Sequence, residues 1–134
     1  YIDVVNNSIA LFLKQDWDGF AKLYADTVKF YDSTNPKSYG LAETKKSWED
    51  INANWEQTTV TKQSYPDGLQ YDKDPFTVQS WWVITTVNKK TKKTAKFYIV
   101  QFDEFNKDGK IGREISYYDQ TALIEASKDA TAAK

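Results

Sequence analysis

The sequence contains no histidine, cysteine or methionine among its 134 residues. Without histidine, imidazole acid–base chemistry, imidazole metal ligation and a Ser-His-Asp triad are all excluded. Without cysteine, thiol nucleophiles, zinc–thiolate sites and disulfides are excluded as well. A catalytic group in this chain would therefore have to be an Asp, Glu, Tyr, Lys or Ser side chain, and we expect neither a metal site nor a cofactor.

Long apolar runs and an excess of one charge are also missing. Because no run reaches about 18 apolar residues, no membrane span is predicted. The 18 Lys and Arg residues nearly balance the 19 Asp and Glu residues, so the chain has no overall field to attract nucleic acid or anionic membrane, and neither is an expected partner. The chain begins at Tyr1 without Met, which fits removal of a leader. Export to the periplasm or beyond and a cytoplasmic location are equally favoured.

Aromatic side chains are abundant, since five Trp, nine Tyr and seven Phe make up 16% of the chain. This is more than a core of this size needs, and flat apolar side chains beyond that need often line a pocket or an interface. The chain is long enough to bury one core. We predict a single domain over residues 1–126 and a flexible tail over residues 127–134.

Three helices are predicted in the N-terminal half. Residues 3–14 carry apolar side chains at helical spacing. Asp16 offers an N-cap for a second helix that extends to Tyr24. A third helix over residues 41–55 follows a predicted loop over residues 33–40, which is rich in Pro, Gly and Asn.

The remaining segments show the two-residue period of strands. The predicted strands are Val28–Asp32, Thr58–Tyr65, Phe76–Asn88, Thr94–Phe105 and Lys110–Leu123. Asp67-Gly68 and Asp108-Gly109 are predicted turns, and Lys89–Lys93 is predicted to be a solvated hairpin tip. Helices followed by long strands indicate an α+β fold, with three N-terminal helices packed on a strongly curved, mostly antiparallel sheet. Because a whole helix follows the strand near residue 30, that strand must join the sheet non-locally.

Two stretches resemble a known superfamily. Residues 16–32 contain DWDGF, LYAD and VKFYD, and a loop with Pro36 and Gly40 follows them. Residues 105–111 read FNKDGKI. Together these resemble the NTF2-like superfamily, which includes the SnoaL-like and ketosteroid isomerase families, over residues 5–123. The resemblance implies a cone-shaped domain with a pocket between sheet and helices, and a homodimer formed through the outer face of the sheet.

The resemblance also carries a test for catalysis. Ketosteroid isomerase uses an Asp base, with a Tyr and a protonated Asp that hold the oxyanion. Carried over by position, the base falls on Asp32 and the two oxyanion donors fall on Ser8 and Gln101. Serine and glutamine are poor substitutes for an acidic donor, which argues against steroid isomerisation. The Asp-His pair of polyketide cyclases is excluded because histidine is absent. Asp32 itself is open to two interpretations, a general acid/base in the pocket or the cap of an Asx-type turn.

Several residues are candidates for contact with a ligand. The predicted ligand-binding residues are Tyr24, Trp48, Trp81, Gln101, Asp103, Ser116 and Tyr118. Alternation places Trp81 and Trp82 on opposite faces without deciding which one faces the pocket. It also places Glu114, Ser116 and Tyr118 on one face. Carboxylates among aromatic residues, such as Asp103 and Glu114, are either functional groups or rim groups paired with Lys or Arg113.

The favoured function is the non-catalytic binding of a small, largely apolar organic ligand in the aromatic-lined pocket. Two alternatives stay open. One is an isomerase, hydrolase or lyase that uses Asp32 as general acid/base, and the other is a dimeric protein-association domain. The fold does not decide between these functions, because function depends on the site that the fold carries.

Overall fold

The computed structural model describes residues 1–73 and 75–129. Its helices are α1 (Ile2–Leu13), α2 (Trp17–Ala21), α3 (Leu41–Asn54) and α4 (Thr121–Ser127). Its strands are β1 (Tyr24–Asp32), β2 (Asn35–Tyr39), β3 (Trp55–Lys62), β4 (Asp67–Leu69), β5 (Phe76–Asn88), β6 (Thr94–Phe105) and β7 (Ile111–Tyr118). None of the helices in these two ranges is long and apolar enough to cross a membrane.

The strands form one curved sheet in the order β2-β1-β7-β6-β5-β3, with β4 beside β5. Every strand pair is antiparallel except β1 with β7, which is parallel. β1 thus pairs with a strand that is distant in the sequence, which confirms the predicted non-local pairing. This pairing sets Phe30 beside Glu114 and Asp32 beside Ser116. It therefore brings residues from the two ends of the sequence onto one wall of the fold.

The helices pack on the concave face of the sheet. Asp16 caps α2 through a bond from the Gly19 amide to its carboxylate at 2.9 Å, which confirms the predicted N-cap. α3 brings Trp48 onto β1, where it joins a core of buried side chains. That core comprises Val5, Phe20, Tyr24, Val28, Phe30, Trp48, Val78, Trp82, Phe105 and Ile111.

The predicted second helix and the loop that was predicted after Asp32 differ from the structure. α2 ends at Ala21, and Tyr24 already belongs to β1. β2 occupies most of residues 33–40, because a tight turn after Asp32 reverses the chain and pairs Asn35 with Asp32. Proline is tolerated here since β2 lies at the edge of the sheet.

Two differences concern the strand half. Asp67-Gly68 lies in β4 rather than in a turn, and Gly68 leaves room for Phe76, whose Cζ is 2.6 Å from where a Cβ would stand. The predicted strand over residues 110–123 ends at Tyr118, because Asp119 accepts a hydrogen bond from the Thr121 amide at 2.8 Å and turns the chain into α4.

Both other predicted turns are confirmed. Gly109 has a φ of +72°, which suits glycine in the turn between β6 and β7. Residues 89–93 connect β5 to β6 as the predicted hairpin tip. Of the tail predicted over residues 127–134, Ser127 belongs to α4. Residues 130–134 lie outside the described part of the chain.

Candidate ligand-binding cavity

A cavity of about 470 Å³ lies between the concave face of the sheet and the helices. Its walls are mainly aromatic and aliphatic. Prominent apolar lining residues are Phe20, Tyr24, Phe30, Trp48, Trp82 and Ile99, and the polar ones include Ser8, Asp32, Gln101, Glu114, Ser116 and Tyr118. The cavity therefore combines a large apolar wall with polar groups from several elements, and its two carboxyl groups lie on β1 and β7.

Trp82, and not Trp81, lines this cavity. Trp82 is 3% exposed, and its indole Nε1 donates to Ser80 Oγ at 2.9 Å. Trp81 lies on the opposite face of β5, opposite Val100 of β6. The prediction that Trp81 belongs to the pocket is thus corrected. Alternation requires that the two side chains point to opposite faces, but only the helices that cover one face determine which of them is enclosed.

Packed aromatic rings form one part of the cavity wall. The ring centroids of Phe20 and Trp48 are 4.3 Å apart at 78°, and those of Phe30 and Trp48 are 5.7 Å apart at 83°. The Tyr24 ring lies 4.9 Å from the Phe30 ring. The two contacts of Trp48 are edge-to-face, an arrangement that aromatic pairs prefer. Tyr24 and Trp48 thus both line the cavity as members of one group of packed rings.

Two carboxyl groups, Asp103 and Glu114, face each other across β6 and β7. Asp103 is fully buried and accepts a hydrogen bond from Gln101 Nε2 at 2.9 Å. Glu114 accepts one from the Tyr24 hydroxyl at 2.7 Å. Among the described residues, the second Asp103 oxygen, Oδ1, has no hydrogen-bond partner. Two like groups this close in a buried place are unfavourable if both are ionised.

Burial, reinforced by the neighbouring Glu114 carboxylate, raises the pKa of Asp103 well above its ordinary value. Burial also raises the pKa of Glu114, against the hydrogen bonds from Tyr24 and Asp103 that favour its charged form. Because the pKa of Asp103 is raised further than that of Glu114, Asp103 is the member of the pair that takes up a proton first as the pH falls.

Glu114 lines the cavity, whereas Asp103, its direct partner on β6, points to the same face of the sheet but is not a lining residue. The prediction that Asp103 belongs to the pocket is corrected, because its side chain is fully covered by the protein and does not reach the cavity. Glu114 is also not paired with Arg113, whose Nε donates to Glu104 at 2.8 Å. The predicted shared face of Glu114, Ser116 and Tyr118 is confirmed, since all three line the cavity.

Asp32 lines another part of the cavity wall and makes the Asx-type turn that was one of the two interpretations left open for it. One carboxylate oxygen accepts bonds from the amide and the hydroxyl of Thr34, each at 2.7 Å, which makes an Asx-type turn. The other oxygen accepts a bond from the Tyr118 hydroxyl at 3.0 Å. Burial and the nearby Asp32 charge raise the pKa of Tyr118 to about 12, so Tyr118 remains a hydrogen-bond donor at neutral pH.

The two positions that correspond to oxyanion donors are already engaged within the protein. The Ser8 hydroxyl donates to the Val5 carbonyl at 2.7 Å, one turn earlier in α1. The Gln101 amide nitrogen donates to Asp103. Both residues line the cavity, as does Ser116. Within residues 1–73 and 75–129, no group of three or more acidic side chains is placed to hold a metal ion.

Comparisons with known proteins agree with this architecture. A proposed isomerase from Bacillus subtilis has a TM-score of 0.75 at 18% identity over 92% of this chain and 89% of its own. A proposed polyketide cyclase from Xanthomonas campestris pv. campestris has a TM-score of 0.75 at 19% identity, over 94% and 95%.

A protein of ketosteroid isomerase-like fold from Catenulispora acidiphila, solved in complex with trimethylamine, has a TM-score of 0.71 at 14% identity, over 92% and 91%. At these identities the solved structures establish the fold alone. No curated protein is significantly similar in sequence. The sequence profile of the SnoaL-like domain, in contrast, matches residues 5–114. The chain therefore belongs to the SnoaL-like domain family, within the NTF2-like fold.

Proposed function

We propose that this domain binds a small, largely apolar organic molecule in its cavity. The observation that carries this proposal is the cavity itself, about 470 Å³ in volume and lined mainly by aromatic and aliphatic side chains. Sites for small organic ligands have this size and composition, with a few polar groups that fix the orientation of the ligand.

Two further features support the proposal. The aromatic rings of the wall pack against one another, so little side-chain entropy is lost when a ligand binds against them. Burying apolar ligand surface is favourable by about 25 cal/mol per Å². The trimethylamine complex of the Catenulispora acidiphila protein is one case in which a domain of this fold holds a small organic molecule.

The test uses the neutral fluorescent probe N-phenyl-1-naphthylamine and two matched variants. Ile84 lines the cavity opposite Phe97, whereas its neighbour Val83 lies on the other face opposite Tyr98. We expect the wild type to bind the probe with a rise in fluorescence. Ile84→Trp should weaken binding by about tenfold, the factor that corresponds to about 1.4 kcal/mol, and Val83→Trp should not. An equal effect of the two variants, or no binding by the wild type, would contradict the proposal.

A second candidate function is acid–base catalysis by Asp32, as an isomerase, hydrolase or lyase. It is favoured by one observation. Asp32 lines the cavity, and its Oδ2 atom accepts a hydrogen bond from the Tyr118 hydroxyl at 3.0 Å. The engaged Ser8 and Gln101 side chains weigh against it. Deuterium uptake into small enolisable ketones in D2O would test this function. Catalysis requires uptake by the wild type and its loss in Asp32→Asn.

A third candidate is self-association through the outer face of the sheet. This face carries a band of apolar side chains, in which Tyr98 and Tyr117 are 54% and 53% exposed. Phe102 and Trp81 lie on the same face. Light scattering tests the homodimer. Tyr98→Glu should yield monomers, while the matched variant Tyr65→Glu, at a loop position that is 84% exposed, should leave the dimer intact.

A further inference from the structure

The cavity has a one-sided charge pattern. Its only acidic or basic side chains besides tyrosine are Asp32 and Glu114, and no Lys or Arg is among the described residues that line it. The chain as a whole is nearly neutral, with 18 basic and 19 acidic residues. The basic side chains therefore lie elsewhere, for example in the ion pairs Lys45–Asp18 and Lys92–Glu56. Among the described residues of the wall, the only side chains other than tyrosine that can carry a full charge are therefore acidic.

The two acids of the wall differ in how well the protein compensates them. Asp32 accepts three hydrogen bonds, from the Thr34 amide, the Thr34 hydroxyl and Tyr118. Glu114 is bonded by the Tyr24 hydroxyl and faces Asp103, which is itself an acid. Asp103 Oδ1, fully buried, has no donor in the described structure. The carboxyl pair thus lacks positive charge at the place where Glu114 meets the cavity.

Aromatic rings surround the same part of the wall. Tyr24, which holds Glu114, has its ring 5.4 Å from that of Phe20 and 5.9 Å from that of Trp48. All three rings line the cavity. The face of an aromatic ring attracts a cation, most strongly where water is excluded, and aromatic cages are the usual receptors for substituted ammonium groups. A buried carboxylate without a cationic partner is costly, and a cationic ligand would compensate it.

We infer that the cavity selects a small organic cation, a substituted ammonium compound, over a neutral molecule of the same shape. Its charged nitrogen lies next to Glu114, and its alkyl groups lie against Tyr24, Phe20 and Trp48. This inference rests on the proposed function, since it names the chemical class of the ligand for the same cavity. It goes further because it assigns the selective group to Glu114, supported by Asp103, and not to Asp32.

The test compares choline with 3,3-dimethylbutan-1-ol, in which a carbon atom replaces the nitrogen and removes the charge. Binding of each to the wild type is followed by NMR chemical-shift titration. We expect choline to bind at least about tenfold more tightly, in line with the strength of desolvated cation–π contacts. Glu114→Gln keeps the shape of the side chain and should bring the two affinities together. Asp32→Asn, the matched control, should keep the preference for choline.

Each outcome decides one question. If the wild type binds the neutral alcohol as well as or better than choline, the inference is wrong and the proposed function stands. The inference is equally overturned if Glu114→Gln retains the full preference or if Asp32→Asn abolishes it. If neither compound binds and N-phenyl-1-naphthylamine does not bind either, the proposed function fails and the inference with it. The backbone NMR spectrum of each variant shows that it is folded before its affinity is measured.

Discussion

Trp81 and Trp82 are neighbours in one strand, and they lie in two different environments. Trp82 is 3% exposed, lines the cavity and donates to Ser80. Trp81 lies on the outer face, beside Val100 and close to the exposed Tyr98. The same contrast separates Asp103 from Glu104 and Tyr118 from Tyr117. The inner face is enclosed by helices and holds its polar groups in fixed hydrogen bonds, whereas the outer face presents similar side chains to the surroundings.

The largest effect is expected for the two tryptophans. Trp82→Ala should lower the free energy of unfolding by about 3–5 kcal/mol, because it leaves a void in the buried core. Trp81→Ala should cost only about 1 kcal/mol in the monomer, since its side chain is less enclosed. Urea denaturation followed by circular dichroism measures both values. Equal losses for the two variants would contradict the assignment of the faces.

The next comparison concerns the adjacent acids Asp103 and Glu104. Asp103 has a raised pKa in the folded protein. The unfolded chain releases this proton near pH 4, while the folded protein keeps it. Stability therefore falls as the pH rises above about 4, by at most about 1.4 kcal/mol per pH unit for one proton, until the pH passes the raised pKa.

Asp103→Asn should remove this loss of stability at higher pH, because an amide cannot ionise and its nitrogen can donate to Glu114. The dependence of the unfolding free energy on pH should then become flatter, and the variant should gain most relative to the wild type at neutral pH. Glu104→Gln on the outer face is the matched control. It removes only a half-exposed ion pair with Arg113 and should cost at most about 1 kcal/mol. An unchanged slope in Asp103→Asn would show that the pKa of Asp103 is not raised in the folded protein.

The smallest effect is expected for the pair Tyr118 and Tyr117. The pKa of Tyr118 is about 12, raised first by burial and then by Asp32. Asp32→Asn should lower the pKa of Tyr118 without returning it to 10, because burial remains. NMR of tyrosine labelled at the ring carbon that bears the hydroxyl follows this titration. The signal of Tyr117, on the opposite face, should not differ between the two proteins. A Tyr118 pKa that does not change would mean that Asp32 and Tyr118 are not in contact.

Much of the fold follows from local patterns in the sequence. The Asp16 cap, the long β5 and β6 strands and the Gly109 turn each depend on a few neighbouring residues, and all three were predicted correctly. β2 was missed because its pairing depends on a turn that the Asp32 side chain makes with Thr34. α4 was missed because the apolar residues after Tyr118 fit a strand as well as a helix.

The candidate site was less predictable than the fold. Alternation placed Glu114, Ser116 and Tyr118 on one face of β7, and the resemblance pointed to Asp32 at the end of β1. These parts of the cavity wall could therefore be predicted from the sequence. The bond from Tyr24 to Glu114 joins residues 90 positions apart and depends on the parallel pairing of β1 with β7. No local pattern encodes such a contact. The choice between Trp81 and Trp82 likewise depends on which face the helices cover.

The most direct test of the cavity as a binding site uses protein in which all five tryptophans are replaced by 5-fluorotryptophan. The fluorine NMR signal of each one is assigned by substituting that tryptophan with phenylalanine. Addition of N-phenyl-1-naphthylamine should shift the fluorine signals of Trp48, Trp55 and Trp82, which line the cavity, in a saturable way. The signals of Trp17 and Trp81 should stay in place or move less. No saturable shift, or a shift of Trp81 as large as that of Trp82, would contradict the account.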